Sequence, residues 1–233
     1  MRNIEAIGLI ENWLDSVGER GYQLAFISAL FRSGYTIVHN TSHNSLELGK
    51  DVIAMSPEGE WFAFQLKGNP GGRFTISQWQ SHTLQLVQLC RMPIRDIVRG
   101  RIVRRFIPVL VTNGEIEEDV QSALELFNKE PSNRASEAAP LRMWNRGKLL
   151  ELFAEESELI WPHRTQSQVA FLRGVVRDFR EEADIREFQR IIDELLGLEL
   201  KSISKNNALS RIISAYFATA LYTSSYVDNL NLF

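Results

Sequence analysis

The sequence GKDVIAMSPEGEWFAFQLK, residues 49–67, predicts a β-hairpin around which the rest of the chain is arranged. Apolar, β-branched and aromatic residues fill two strand-like runs, Leu48–Met55 and Trp61–Lys67. Between them lies Ser56-Pro-Glu-Gly59, which contains three turn-forming residue types. Two antiparallel strands joined by a short turn therefore stand at the centre of the predicted fold.

The polar residues of this hairpin are predicted to meet on one face. Side chains alternate between the two faces of a strand, so Gln65 and Lys67 point the same way. A turn centred near Glu58 places Asp51 opposite Gln65, and directly paired residues have Cβ atoms about 4.5–5.5 Å apart. A carboxylate, an amide oxygen and an ammonium group are thus expected to converge.

The segments on either side of the hairpin predict further helices and strands. Apolar residues at helical spacing predict a helical run over Ile4–Phe31, which Gly18 and Gly21 could divide into two helices. Lys129–Pro140 is predicted to be a loop. The other predicted elements, in chain order, are a strand at Tyr35–His39, a helix at Ser77–Cys90, a strand at Phe106–Val111, a helix at Ile116–Asn128, a strand at Leu141–Trp144 and a helix at Arg146–Phe153. This order predicts the α/β class, with a mixed sheet flanked by helices.

The character of the sequence changes at about Trp161. Strand signals end there, and helical periodicity continues through Val169–Glu181, Ile185–Leu196 and Ala208–Tyr226. We therefore expect a first domain at residues 1–160 and a C-terminal all-helical segment at residues 161–233, which is the candidate for linking or assembly.

Composition and charge narrow the classes of function. The formal net charge of −3 gives no global nucleic-acid signature, although six arginines fall within one short segment: Arg91, Arg95, Arg99, Arg101, Arg104 and Arg105. These arginines either contact DNA phosphates or form an ion-paired surface around Asp96. The single cysteine, Cys90, excludes an internal disulfide framework and fits a reducing compartment. With no signal peptide or membrane-spanning run, we expect a cytoplasmic protein without a membrane partner.

The predicted convergence of Asp51, Gln65 and Lys67 suits metal-dependent hydrolysis of a phosphodiester. Mg²⁺ prefers oxygen ligands and usually takes only one or two protein carboxylates, keeping water and substrate phosphate for the rest. Asp51, the Gln65 amide oxygen and the backbone carbonyl of Leu66 are the expected metal ligands. Lys67 is expected to orient the attacking water and neutralise developing charge. Mn²⁺ is expected to substitute for Mg²⁺.

The segment Asp51…Gln65-Leu-Lys67 resembles the D…QxK variant of the PD-(D/E)xK nuclease motif, which is typical of Mrr-like restriction endonucleases. Gly18-Glu-Arg-Gly-Tyr-Gln23 followed by an apolar helix and Gly34-Tyr35 is similar to the helix that opens that fold. Phe106–Thr112 resembles its later core strand. The resemblance covers about residues 18–150 and implies a restriction-endonuclease-like fold.

In that family the opening helix often carries a metal-associated glutamate. Gln23 occupies that position here, and Glu19 lies one turn earlier, so both join the candidate catalytic residues. The sequence departs from the motif at Lys50, which replaces proline, and at Gln65 and Gln23, which replace carboxylates. Whether one metal or two would be held is left open. Glu47 could add a further charge.

The resemblance implies a Mg²⁺-dependent endonuclease that cuts double-stranded DNA as a homo-oligomer, serving as the effector of a restriction or antiphage system. Such modules are often fused to an NTPase or sensor region, which here would lie beyond Phe233. Two alternatives remain open: a catalytically inactive nuclease-fold module used for nucleic-acid binding or assembly, and a nuclease acting on RNA. Purely structural roles also remain open for three of these residues: a helix-dipole role for Glu19, a packing role for Gln23 and a solvated strand end for Lys67.

Overall fold

The structure is a computed structural model that describes residues 10–40, 49–96, 99–160 and 185–197, with seven separate positions between 211 and 223. Contacts group the chain into two compact units, one formed by residues 30–148 and the other by residues 1–29 together with 149–233. The predicted boundary between residues 160 and 161 divides the chain differently and stays a prediction. Glu47 lies outside the described residues, as do the expected helix at residues 169–181 and most of that at 208–226.

The helices and strands follow one another in a mixed α/β order. They are α1 (Glu19–Arg32), β1 (Thr36–Asn40), β2 (Val52–Met55), β3 (Trp61–Lys67), β4 (Arg73–Phe74), α2 (Ile76–Arg91), β5 (Ile94–Asp96), β6 (Arg101–Val103), β7 (Ile107–Thr112), β8 (Glu115–Ile116), α3 (Glu118–Lys129), a 3₁₀ turn (Pro131–Asn133), β9 (Arg142–Trp144), α4 (Arg146–Ile160) and α5 (Ile185–Leu196).

A five-stranded mixed sheet in the order β1-β2-β3-β7-β9 forms the centre of residues 30–148. β2 runs antiparallel to both of its neighbours, β1 and β3, whereas β3, β7 and β9 are parallel. Val52 pairs with Phe64 and Met55 with Trp61, which is the register that the predicted turn requires. The hairpin is confirmed, and Gly59 closes its turn by donating its N–H to the Ser56 carbonyl at 2.9 Å.

The two faces of the sheet are packed differently. On one face, Ile53, Ala63 and Leu110 belong to a core cluster that also contains buried residues of α2 and α3, including Trp79 and Phe127. On the other face, aromatic rings cover the sheet in a row formed by Tyr35, Phe62, Phe64 and Trp144, with neighbouring centroids 5.3–5.7 Å apart. Burial on both faces explains why β3 and β7 are almost continuously apolar.

Three local features refine what the sequence pattern favours. Proline favours edge strands, yet Pro108 lies in an interior strand, because β7 is flanked by β3 and β9; β9 begins its pairing only at Val109, so Pro108 lies where one edge of β7 is still open. The predicted division of the first helical run is confirmed at Gly18, since residues 10–14 are helical and α1 begins only at Glu19, whereas Gly21 lies inside α1. The predicted loop at residues 129–140 includes a 3₁₀ turn and is anchored by hydrogen bonds such as Ala139 N–H to the Phe106 carbonyl at 2.9 Å.

The other unit is helical in its described residues. Tyr22 and Phe26 of α1 are buried, and the rings of Trp13 and Phe153 meet edge to face at 5.8 Å. α5 confirms the predicted helix at residues 185–196. In the part of the chain that the structure describes, no helix is long and apolar enough to cross a membrane.

Candidate metal centre

Asp51 is fixed at the point where β2 begins. Its backbone N–H donates to the Phe64 carbonyl at 2.8 Å, and its Oδ2 accepts the Leu66 N–H at 2.6 Å. The carboxylate therefore takes the place of a backbone acceptor beside the C-terminal end of β3. A hydrogen bond to an ionised acceptor is about twice as strong as a neutral one, so this contact holds the side chain in a defined position.

Gln65 lies between Phe64 and Leu66, the two β3 residues that hydrogen-bond Asp51, and is almost fully buried, with 3% of its surface exposed. Its Nε2 donates to Oε1 of Gln85 on α2 at 2.9 Å. Its own Oε1 is buried and has no hydrogen-bond partner among the described residues. Leaving a buried acceptor unsatisfied costs about 1–3 kcal/mol, so this oxygen is a place where a cation would be favourable.

The backbone of Leu66 completes the oxygen set. In antiparallel pairing, a residue directs its N–H and its C=O to the same neighbouring strand. Because the Leu66 N–H reaches Asp51, the Leu66 carbonyl also faces the side on which Asp51 lies. One carboxylate, one amide oxygen and one backbone carbonyl are thus grouped at this strand end.

Lys67 is the last residue of β3 and is half-buried. It shares the sheet face of Gln65 and pairs with Thr112 of β7. A histidine on α2, His82, lies near enough for electrostatic coupling: burial, and then the positive charge of Lys67, hold the pKa of the His82 imidazole below its usual value. The His82 ring also stacks on Phe74, with centroids 6.4 Å apart.

Helix α2 lies against this strand end because the sequence allows a close approach. A capping box fixes its start, with Thr75 accepting from the Gln78 N–H while the Gln78 side chain accepts from Thr75. Gly49 has a φ of 77°, and a Cβ there would be 2.8 Å from the Gln85 carbonyl oxygen. Only glycine suits both the backbone conformation and the space, so Gly49 lets α2 pack beside Asp51.

A buried polar network holds the chain that follows Lys67. The Asn69 N–H donates to the Asn113 side chain at 2.7 Å, and the Thr112 hydroxyl donates to the Asn69 side chain at 3.1 Å. The Gly114 N–H in turn donates to Thr112 at 3.1 Å. These bonds join the ends of β3 and β7, which makes the edge of the sheet at Lys67 a rigid support.

The structure brings together four of the residues predicted from the hairpin: Asp51, Gln65, Leu66 and Lys67. Glu19 and Gln23 lie on α1, which the contacts place mainly in the other unit, and their catalytic role stays a prediction. Within the described ranges, no group of three or more histidine, cysteine, aspartate or glutamate residues could hold a metal. A cation at this strand end would therefore depend on the amide and carbonyl oxygens beside one carboxylate.

Sequence reasoning missed two residues near this strand end, His82 and Gln85. They are three positions apart in α2, and residues at that spacing are neighbours on a helix surface. Polar residues at i and i+3 in the helix after Lys67 are a weak signal by themselves. Their importance depends on where α2 lies, and that is decided by the close approach at Gly49.

Lys50, the residue that replaces the motif proline, lies in the core. It is 4% exposed, its Nζ is 5.6 Å from the centroid of the Phe106 ring, and burial lowers its pKa to about 8. Lys50 is thus associated with the packed interior.

The arginine-rich segment is mixed in charge. Arg101 Nε is 2.9 Å from Oδ2 of the buried Asp96, and its guanidinium lies over the Trp61 ring at 5.1 Å. The ion-paired alternative thus holds for Arg101. A groove of about 890 Å³ beside it is lined by four arginines and three glutamates: Arg101, Arg104, Arg105, Arg142, Glu58, Glu60 and Glu137.

Comparison with known proteins gives no relative from which a role could be transferred. The chain matches no protein-family model, no curated protein and no solved structure. Its function is therefore inferred from the geometry around Asp51 and from the motif resemblance of the hairpin.

Proposed function

We propose that this chain is a Mg²⁺-dependent endonuclease with a restriction-endonuclease-like fold, which hydrolyses phosphodiester bonds in double-stranded DNA. The single observation that carries the proposal is the buried Oε1 of Gln65, which has no hydrogen-bond partner among the described residues and belongs to the residue between Phe64 and Leu66, both of which bond Asp51. Proteins leave very few buried acceptors unpaired, and a bound ion is one of the accepted reasons for such an atom.

The oxygen set fits one hard divalent cation. Asp51 supplies a single negative charge, while Gln65 and Leu66 supply neutral oxygens, and Mg²⁺ commonly binds to one or two carboxylates and otherwise to water and phosphate. When bound, Mg²⁺ lowers the pKa of a coordinated water and offsets charge on the phosphate. With one carboxylate, this set favours one metal ion over two.

The chain's own residues would do the positioning. Asp51 is held by the Leu66 N–H, so its carboxylate is oriented before substrate arrives. Lys67, at the end of the same strand, would hold the attacking water and stabilise the negative charge that grows on the phosphate oxygens. The network of Asn69, Thr112 and Asn113 would keep the strand ends from moving during the reaction.

Double-stranded DNA as substrate, homo-oligomeric assembly, a cytoplasmic location and a role as effector of a restriction or antiphage system follow from the motif resemblance alone. The same resemblance supports an NTPase or sensor region beyond Phe233. Glu19 and Gln23 keep their proposed catalytic roles on that basis, with Gln23 in the position of the family's metal-associated glutamate.

A second candidate is an inactive nuclease-fold module that binds nucleic acid or assists assembly. The observation that favours it is the single carboxylate at the site, since no cluster of three acidic or histidine ligands occurs among the described residues. Titration with Mg²⁺ and Mn²⁺ separates the two candidates, because an inactive module would bind neither ion in a manner that depends on Asp51. Comparing structured RNA with duplex DNA tests the RNA alternative.

Cleavage of plasmid DNA in Mg²⁺ tests the proposed activity. We expect Asp51→Ala and Lys67→Ala each to reduce the cleavage rate by about 10²–10³-fold, the usual cost of removing one group that stabilises transition-state charge. Asp51→Asn keeps a hydrogen-bond acceptor for Leu66 but removes the charge, and should be equally inactive. Glu125→Ala and Lys129→Ala, exposed positions on α3, are the matched controls. Wild-type cleavage by Asp51→Asn and Lys67→Ala would refute the proposal.

A further inference from the structure

The orientation of the Gln65 amide is decided by one hydrogen bond from outside the hairpin. Gln65 Nε2 donates to Oε1 of Gln85 at 2.9 Å, and this is the contact that turns the amide nitrogen toward α2. The other end of the amide, Oε1, is then left facing away from Gln85 without a partner among the described residues. An amide has two ends of similar size and opposite polarity, so reversing it would exchange an acceptor for a donor.

We infer that Gln85 is a positioning residue for the metal site: by accepting the Gln65 Nε2–H, it keeps the Gln65 carbonyl oxygen available to a divalent cation. This inference depends on the proposed function, since it concerns the same cation. The reversed amide would direct two N–H groups at the cation, which cannot bind it. Gln85 itself is exposed, so its own nitrogen can remain in water at little cost.

The geometry of α2 explains why Gln85 can do this. Its backbone carbonyl approaches Gly49 closely, since a Cβ on that glycine would lie 2.8 Å from it. The residue before Lys50 and Asp51 thus touches the same helical turn that carries the Gln85 side chain. The helix packs against the strand end through backbone atoms. This contact fixes the position of the Gln85 backbone, from which its side chain accepts the hydrogen bond of Gln65.

A neutral substitution separates orientation from charge. Gln85→Leu removes the acceptor and leaves the buried Gln65 Nε2 without it, so the amide is free to turn its N–H groups toward Asp51. We expect the Mg²⁺ affinity of the DNA-free protein, measured by calorimetry, to fall by about 10–100-fold, which is typical when a partner of a metal ligand is lost. Gln88→Leu, on the next turn of α2, is the matched control and should change it by less than about twofold.

Two further variants make the test specific to orientation. Gln85→Glu retains an acceptor and should keep wild-type affinity or exceed it. In a Gln65→Glu background, either carboxylate oxygen can face the cation, so adding Gln85→Leu should change affinity by less than about twofold in this double-mutant cycle. The unfolding temperature of each variant is measured alongside, because a purely structural role would lower it equally in both backgrounds.

The outcomes distinguish this inference from the proposed function. If Asp51→Ala abolishes Mg²⁺ binding but Gln85→Leu binds as tightly as Gln88→Leu, the positioning role is wrong and the metal site stands. An equal loss of affinity from Gln85→Leu in the wild-type and Gln65→Glu backgrounds would also overturn the role. If Asp51→Ala leaves Mg²⁺ binding unchanged, the proposed site is itself refuted.

Discussion

The two ends of β3 treat their polar groups in opposite ways. At the Trp61 end, Arg101 is paired with Asp96 at 2.9 Å and stacked on Trp61, and the nearby groove mixes arginines with glutamates. At the Lys67 end, the Gln65 oxygen is buried and has no hydrogen-bond partner in the part of the chain that the structure describes. At the charge-rich end Arg101 is paired within the protein, whereas at the charge-poor end a buried oxygen has no hydrogen-bond partner among the described residues.

The contrast shows why charge density alone is a poor guide to a site here. Six arginines within one segment are conspicuous in the sequence, yet one of them, Arg101, forms an ion pair with Asp96 of the same chain. A neutral glutamine is less conspicuous, but its buried acceptor costs free energy until something occupies it. An unsatisfied atom is therefore better evidence for a ligand than a satisfied charge.

Replacing the glycines at the two ends of the hairpin is expected to have the largest effect on the free energy of unfolding. Gly49 and Gly59 both have positive φ, 77° and 84°, but a Cβ at Gly49 would meet the Gln85 carbonyl while one at Gly59 would meet nothing within 4 Å. Gly59→Ala should cost about 1–2 kcal/mol for the backbone conformation alone. Gly49→Ala should cost about 2–5 kcal/mol, because overpacking is added. Equal costs in urea denaturation would contradict the close approach of α2.

Replacing Arg101, at the Trp61 end, is expected to have a smaller effect on the free energy of unfolding. Arg101→Ala leaves the Asp96 carboxylate, 2% exposed, without its 2.9 Å partner, and removes the contact with Trp61. Because Arg101 is itself about half exposed, we expect a loss of only about 1–2 kcal/mol in the free energy of unfolding. Arg104→Ala, an exposed neighbour, should change it by less than about 0.5 kcal/mol.

Neither Arg101→Ala nor Arg104→Ala is expected to alter the rate constant of DNA cleavage at saturating substrate, since both residues lie at the end of β3 away from Lys67. A large drop in that rate constant for Arg101→Ala, with stability little changed, would mean that the Trp61 end takes part in the chemistry. The proposed difference between the Trp61 end and the Lys67 end of β3 would then be wrong.

The hairpin and the register of its strands could be predicted because both depend on local rules. Alternation of side chains and the turn at Ser56–Gly59 are written into nineteen consecutive residues, 49–67, and they fix the register. α2, α3 and α5 were likewise predictable from helical spacing, to within about two residues at each end.

The rest depended on contacts that no local pattern encodes. β4 with β8 and β5 with β6 are pairs of strands only two or three residues long, too short to show a period. Pro108 favours an edge strand by its chemistry, and only the short length of β9 lets it occur inside the sheet. The hydrogen bond between Gln65 and Gln85 joins residues twenty positions apart. It forms because Gly49 has no side chain and allows α2 to approach closely.

Anomalous scattering from a Mn²⁺-soaked crystal would show whether a cation binds at the Lys67 end of β3. We expect a single strong anomalous peak within coordination distance of an Asp51 carboxylate oxygen, Gln65 Oε1 and the Leu66 carbonyl, and no such peak in crystals of Asp51→Ala. A map with no peak there, in which a protein group or an ordinary hydrogen-bonded water satisfies Gln65 Oε1, would contradict it.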